Sequence, residues 1–209
     1  MSTPRELYEA YRIMPDLRLH QLRVAAVGKR ICNHFSEPID TDEVVLACLF
    51  HDMGNIVKFD LGYFPEALEP RGREYWEQVK RETEERYGTE QHEVSAAIGR
   101  EIGLSEQALN MIVHAGYRDM PAIVESENWA WKMLKYADLR VAPHGVVSLE
   151  ERFADFAVRY RSKVSDRETL AQGKTLEAQI FAHASIQPED ITDATVAPLI
   201  EELSEYPVS

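Results

Sequence analysis

The sequence predicts an all-α fold, a bundle of about eight to ten helices, on three observations. Apolar residues recur at helical spacing, as in DLRLHQLRVAAVGKRICNH (16–34), where His20, Val24, Val27 and Ile31 share one stripe. No alternating run is long enough for a confident strand. A Gly-rich phosphate loop and an internal repeat are also missing, which argues against a mainly parallel α/β domain.

The elements follow in order. After the 16–34 helix, Thr41 or Asp42 is read as the cap of a helix whose Val44, Val45, Ala47, Cys48, Leu49 and Phe50 are apolar almost all round, marking it as central and buried. That helix delivers His51 and Asp52 at its end. Residues 53–71, with Gly, Pro and aromatics, read as a long loop across one mouth of the fold. REYWEQVKRETEERYG is a charged helix with a solvated face, stopped by Gly88. Thr89 is read as the cap of the next helix, on which His92, Ala96 and Gly99 share a face. Ser105 opens a short helix ending near His114, a Pro-containing loop follows, and NWAWKMLKYADLR forms the helix that bears Asp138. Helices near 148–162, 167–185 and 189–204 complete the chain. Their apolar stripes leave open whether they finish the core or pair with a second copy.

Composition limits the function classes. At 209 residues and 44% hydrophobic content, residues 1–209 read as one domain able to bury a core without disulfides or a structural metal. Cys32 and Cys48 sit in apolar helical stretches at no metal or redox spacing and read as buried thiols. No signal peptide and no apolar run near ~18 residues is found, so a cytoplasmic protein that does not enter membranes is expected. A net charge of -13 argues against binding a nucleic acid polymer, while leaving room for a small anionic substrate where local cations offset that field.

Four histidines and two aspartates carry the chemistry: His20, the doublet His51-Asp52, His92, His114 and Asp138, each in or at the end of a helical stretch. Imidazole and carboxylate are ligands for Fe, Mn, Co and Zn, and six of them exceed what one ion with open positions needs. Two divalent ions are therefore expected. A carboxylate at the end of a buried helix also requires a strong positive partner, and an ion supplies it to Asp52.

This order resembles the HD superfamily of metal-dependent phosphohydrolases, whose signature is H…HD…D, and more narrowly its members with two further histidines between the doublet and the last aspartate. LACLFHDMGNIVKF is similar to that family's apolar-helix block, and LKYADLRV to the block presenting the final aspartate; the resemblance covers roughly 16–142. It implies an HD-domain-like helical bundle with a buried metal centre. His20, His51, Asp52 and Asp138 would bind one metal, and His92 and His114, with Asp52 as bridge, a second. Asn55 stands where many relatives carry Lys, and Lys58 lies one turn further on. The ions implied are Fe or Mn foremost, with Co, Zn, Mg and Ni also compatible. His34, His144 and His183 have no place in the pattern.

The activity implied is hydrolysis of a phosphate ester or anhydride, with nucleotides as a first panel, through attack by a hydroxide that bridges the metals. Asp52, Lys58 and Arg118 are the candidate catalytic residues, with Arg71 and Arg73 as further cations near the same mouth. Tyr63, Phe64 and Tyr117 would stack on a base or cover the core. The alternative is a mixed-valent di-iron oxygenase of the same superfamily acting on a polyol or organophosphonate. A non-catalytic sensing module is disfavoured because every ligand position is filled. A homo-oligomer is compatible with the C-terminal stripes.

Overall fold

The chain's structure, a computed structural model, describes residues 1–62, 65–160 and 167–208. Among them are eleven α-helices and one two-residue hairpin: α1 Pro4–Ala10, α2 Pro15–Cys32, α3 Thr41–Phe50, α4 Arg73–Tyr87, α5 Gln91–Glu101, α6 Glu106–Val113, α7 Met120–Glu125, α8 Trp129–Leu139, β1 Val141–Ala142, β2 Gly145–Val146, α9 Leu149–Tyr160, α10 Arg167–Phe181 and α11 Asp193–Ser204. The all-α expectation holds. Tyr63, Phe64 and the end of the 148–162 helix lie outside the described residues. No helix among those described is long and apolar enough to cross a membrane.

The helix starts follow from side chains that can take up the first free backbone N–H groups. Thr3 and Glu6 form a capping box on α1, Ser105 accepts from the Ala108 amide, and Asn128 accepts from those of Ala130 and Trp131. Two caps fall one residue from their expected places. Asp40, ahead of Thr41, caps α3, and Glu90, following Thr89, caps α5; a carboxylate is the stronger acceptor and complements the helix dipole. The Pro-containing loop after His114 includes α7, which begins at Met120 with Pro121 in its first turn, where a missing N–H costs nothing.

α3 forms the centre. Six of its ten residues are fully buried, and it packs against α2, α6 and α8. Gly28 lets α2 approach closely: a Cβ there would stand 3.1 Å from the Cys48 sulfur and 3.8 Å from Ala137. Burial pushes the Cys32 thiol up to about 12 and the Cys48 thiol well above its ordinary value, so both stay protonated and inert. The hydroxyl of Tyr8 donates to the Leu49 carbonyl at 2.6 Å, satisfying an acceptor near the α3 terminus.

The C-terminal helices close the core from outside. α11 lies on α2 and α10 on α7 and α8, burying Leu176, Ile180, Val196 and Leu203 within the same chain. Arg140, at the end of α8, ties them down by donating to the carbonyls of Val147, Pro188 and Ile191 and to the Tyr136 hydroxyl. Because Leu176 is wholly buried, Leu176→Ala is expected to lower stability by about 2–5 kcal/mol, measured by urea denaturation. A loss below that range would show that α10 is peripheral to the core.

Candidate metal centre

His20 projects from the second turn of α2, the His51-Asp52 doublet ends α3, and Asp138 lies in the last turn of α8. These three helices pack on one another, so groups up to 118 positions apart in sequence meet. His20 Nε2 is 3.3 Å from Asp138 Oδ1 and 3.9 Å from Asp52 Oδ2; His51 Nε2 is 3.8 Å from each of the same two oxygens. Ligand atoms of His20, His51 and Asp52 all lie within 4.8 Å of one another.

The surroundings orient these groups. His51 Nδ1 donates to the Cys48 carbonyl at 2.8 Å, which leaves Nε2 with its lone pair facing the cluster. That Nε2 is buried and has no hydrogen-bond partner. An orphaned buried nitrogen costs roughly 1–3 kcal/mol, and a cation at this point would remove the cost. Two imidazoles and two carboxylates are a donor set that fits a divalent ion.

Several residues that the sequence reading missed hold Asp52. Asn55 donates to its Oδ2 at 3.0 Å, and Gln91, from the first turn of α5, donates to its Oδ1. Gln21 accepts the Asp52 backbone N–H at 3.1 Å, while its own buried amide nitrogen has no partner. A polar amide inside a stripe otherwise apolar, as Gln21 is on α2, was the available signal. Gly54 permits the tight passage after the doublet. Its N–H donates to Ser95 Oγ at 2.8 Å, and a Cβ would stand 2.4 Å from the Gln91 carbonyl oxygen.

His92, His114 and Asp138 lie outside the group of mutually close ligand atoms found among the described residues, although Asp138 still reaches both His20 and His51. His92, at the start of α5, is near enough to Asp52 to feel its charge, and burial holds its pKa below the ordinary histidine value. His114, just past α6, sits 3.5 Å from Asp119 Oδ1 and packs on Trp131 with ring centroids 4.7 Å apart. Gly116 faces His92, where a Cβ would stand 3.3 Å from His92 Cε1 and 3.0 Å from Asp119 Oδ2.

The basic candidates separate. Lys58 ends a 3-10 turn, Asn55–Val57, so the α-helix does not continue to it, yet its charge acts on Asp52 and His92. Arg118 is exposed in a second 3-10 turn, Tyr117–Asp119. Arg73 is held by Glu77 at 2.7 Å and Arg71 lies 5.2 Å from the Tyr75 ring centroid, so both are engaged along the α4 surface. Lys135, missed in the sequence, is buried beside the cluster: its Nζ donates to the Ala115 carbonyl at 2.8 Å, stands 4.0 Å from Asp138 Oδ2, and covers the Tyr117 ring at 3.9 Å. That contact occupies a face of Tyr117. Burial, only partly offset by Asp138, brings the Lys135 ammonium down to about 8.

A family model, the HD domain, matches residues 18–185, and the chain belongs to that family. HD domains form a superfamily of metal-dependent phosphohydrolases, and they bind divalent metals. The match runs through α10, well past the 16–142 stretch that carries the motifs. No curated protein and no solved structure matches the chain significantly.

Burial opposes charge on His51, Asp52 and Asp138, but the mutual attractions prevail. His51 is raised because Asp52 and Asp138 together outweigh its burial; Asp138 is lowered because the His20 and His51 imidazoles at 3.3 and 3.8 Å, with Lys135, outweigh its own. A raised histidine stabilises the metal-free fold below its unfolded value of ~6.5 and loses that contribution as pH rises through the folded one. The melting-temperature cost of His51→Gln in metal-free protein is therefore expected to be larger at pH 6 than at pH 8, whereas His92, lowered by burial, acts in the opposite direction in the wild type. Manganese binding, which needs neutral imidazole, is expected to weaken as pH falls, about tenfold per unit for each proton displaced. Calorimetry showing pH-independent binding would contradict this. Gly54→Ala is expected to cost about 1–3 kcal/mol in denaturation and to reduce metal content; an unaltered melt would mean that the doublet tolerates displacement from α5.

Proposed function

We propose that this protein hydrolyses a phosphate ester or anhydride, with nucleotides among the first substrates to try. In this reading His20, His51, Asp52 and Asp138 hold one divalent ion, and His92 and His114, sharing Asp52, hold a second, with iron or manganese the foremost metals. The observation that carries it is the convergence of both imidazole Nε2 atoms on the Asp52 and Asp138 carboxylates, with the His51 nitrogen lacking any other partner. Divalent cations held there supply Lewis acidity and lower the pKa of water.

The chain's own residues set the geometry. Asn55 and Gln91 hold the Asp52 carboxylate, leaving lone pairs on both oxygens. The Cys48 carbonyl fixes the His51 ring, and a proton on His114 Nδ1, shared with Asp119, would present its Nε2 in the same manner. Lys58 and Arg118 would place positive charge where negative charge builds on the phosphoryl oxygens and leaving group, Lys58 from a position already felt by Asp52. A small phosphorylated molecule is the partner this site suits, in a protein read as cytoplasmic.

The test is metal analysis of anaerobically purified protein followed by phosphate release from nucleotides and phosphonates, with and without oxygen. Release should be independent of oxygen. Asp52→Ala is expected to lower activity by a factor of at least ~10³, the scale of losing a transition-state charge stabiliser, and to reduce the content of both ions. Oxygen uptake with an organophosphonate or polyol would favour the oxygenase chemistry instead, and full metal occupancy in Asp52→Ala would rule out its bridging role.

A further inference from the structure

Arg152 lies in the first turn of α9 and is only 7% exposed. Its Nη1 reaches Asp155 Oδ2 at 3.5 Å, and its Nε is buried with no partner. A buried guanidinium with one long contact and an unused donor is unfavourable unless something else completes its hydrogen bonding. Its Cζ lies 4.1 Å from the Phe156 ring centroid, and Phe156 meets Tyr117 edge to face at 5.6 Å. Tyr117 in turn carries Lys135, 4.0 Å from Asp138.

Two buried cations are thus mounted on two touching rings, the first of them beside Asp138. In a chain of net charge -13 this placement is unusual, since repulsion between the two ammonium and guanidinium groups is felt at Lys135. The cluster's carboxylates offset Lys135, with Asp138 Oδ2 4.0 Å from its Nζ. Planar guanidinium groups match phosphate and carboxylate oxygens. A backbone role for Arg152 would engage Nε with a carbonyl, as Arg140 does with Val147.

We propose that Arg152, together with Lys135, forms an anion subsite beside the metal centre that binds a second anionic group of the substrate, phosphate or carboxylate. The substrate class then narrows to molecules with two anionic groups, one at the metals and one at Arg152. The inference rests on the phosphohydrolase reading for the first of these groups and on Arg152 for the second.

Calorimetric titration of the manganese-loaded protein with three probes tests it: glycerol 3-phosphate with one anionic group, 3-phosphoglycerate with an added carboxylate, and glycerol 1,3-bisphosphate with an added phosphate. Wild type is expected to prefer at least one bis-anion to the mono-anion by about tenfold or more, the scale of one charge-assisted hydrogen bond, and the two arms tell carboxylate from phosphate. In Arg152→Gln that ratio should fall to near one. Arg152→Lys, which keeps charge but not the planar fork, should fall between. No preference in wild type, or an undiminished preference in Arg152→Gln, overturns the subsite. Should Gln unfold the protein, an undiminished preference in Arg152→Lys overturns it. Failure to take up manganese would contradict the metal reading instead, and the same ratios measured on that protein would still decide the role of Arg152.

Discussion

The burial of two carboxylates where three helices meet is the constraint around which this molecule is arranged. Asp52 and Asp138 are largely withdrawn from water, and such groups are stable only with strong positive or hydrogen-bonding partners. The protein supplies them from all sides: His20 and His51 at 3.3–3.9 Å, Lys135 behind Asp138, Asn55 and Gln91 on Asp52. Removing one partner exposes the cost of the rest, so the cluster and the packing of α2, α3 and α8 depend on each other.

Packing around α3 makes this arrangement rigid. The helix is buried on nearly every face, its neighbour α2 approaches over Gly28, and the chain leaving it is clamped to α5 through Gly54 and Ser95. A doublet mounted on such an element moves little, as a site that must hold charged groups within fractions of an ångström requires. α10 and α11 contribute at one remove by covering α8 and α2.

Much of this was legible in the sequence because helical periodicity is a local signal. The ends of α2, α4, α6 and α8 fall within two residues of where apolar spacing, Gly88 and the opening Ser105 place them. What was hidden depends on three-dimensional juxtaposition. Asp40 and Glu90 win the capping positions by geometry that neighbouring candidates do not reveal, and α7 is too short for its period to register. Of the six ordered ligand candidates, His20, His51, Asp52 and Asp138 converge. Gln21, Gln91, Lys135 and Arg152 went unseen because a polar residue on an apolar stripe announces burial without naming its partner.

The central claim is that the two imidazole nitrogens and two carboxylates gather a divalent cation. Anomalous diffraction from crystals of the protein grown with manganese tests it most directly. A strong peak enclosed by His20, His51, Asp52 and Asp138 is expected; manganese-soaked crystals with no peak there, and with His51 Nε2 turned toward some other partner, would contradict a cation site.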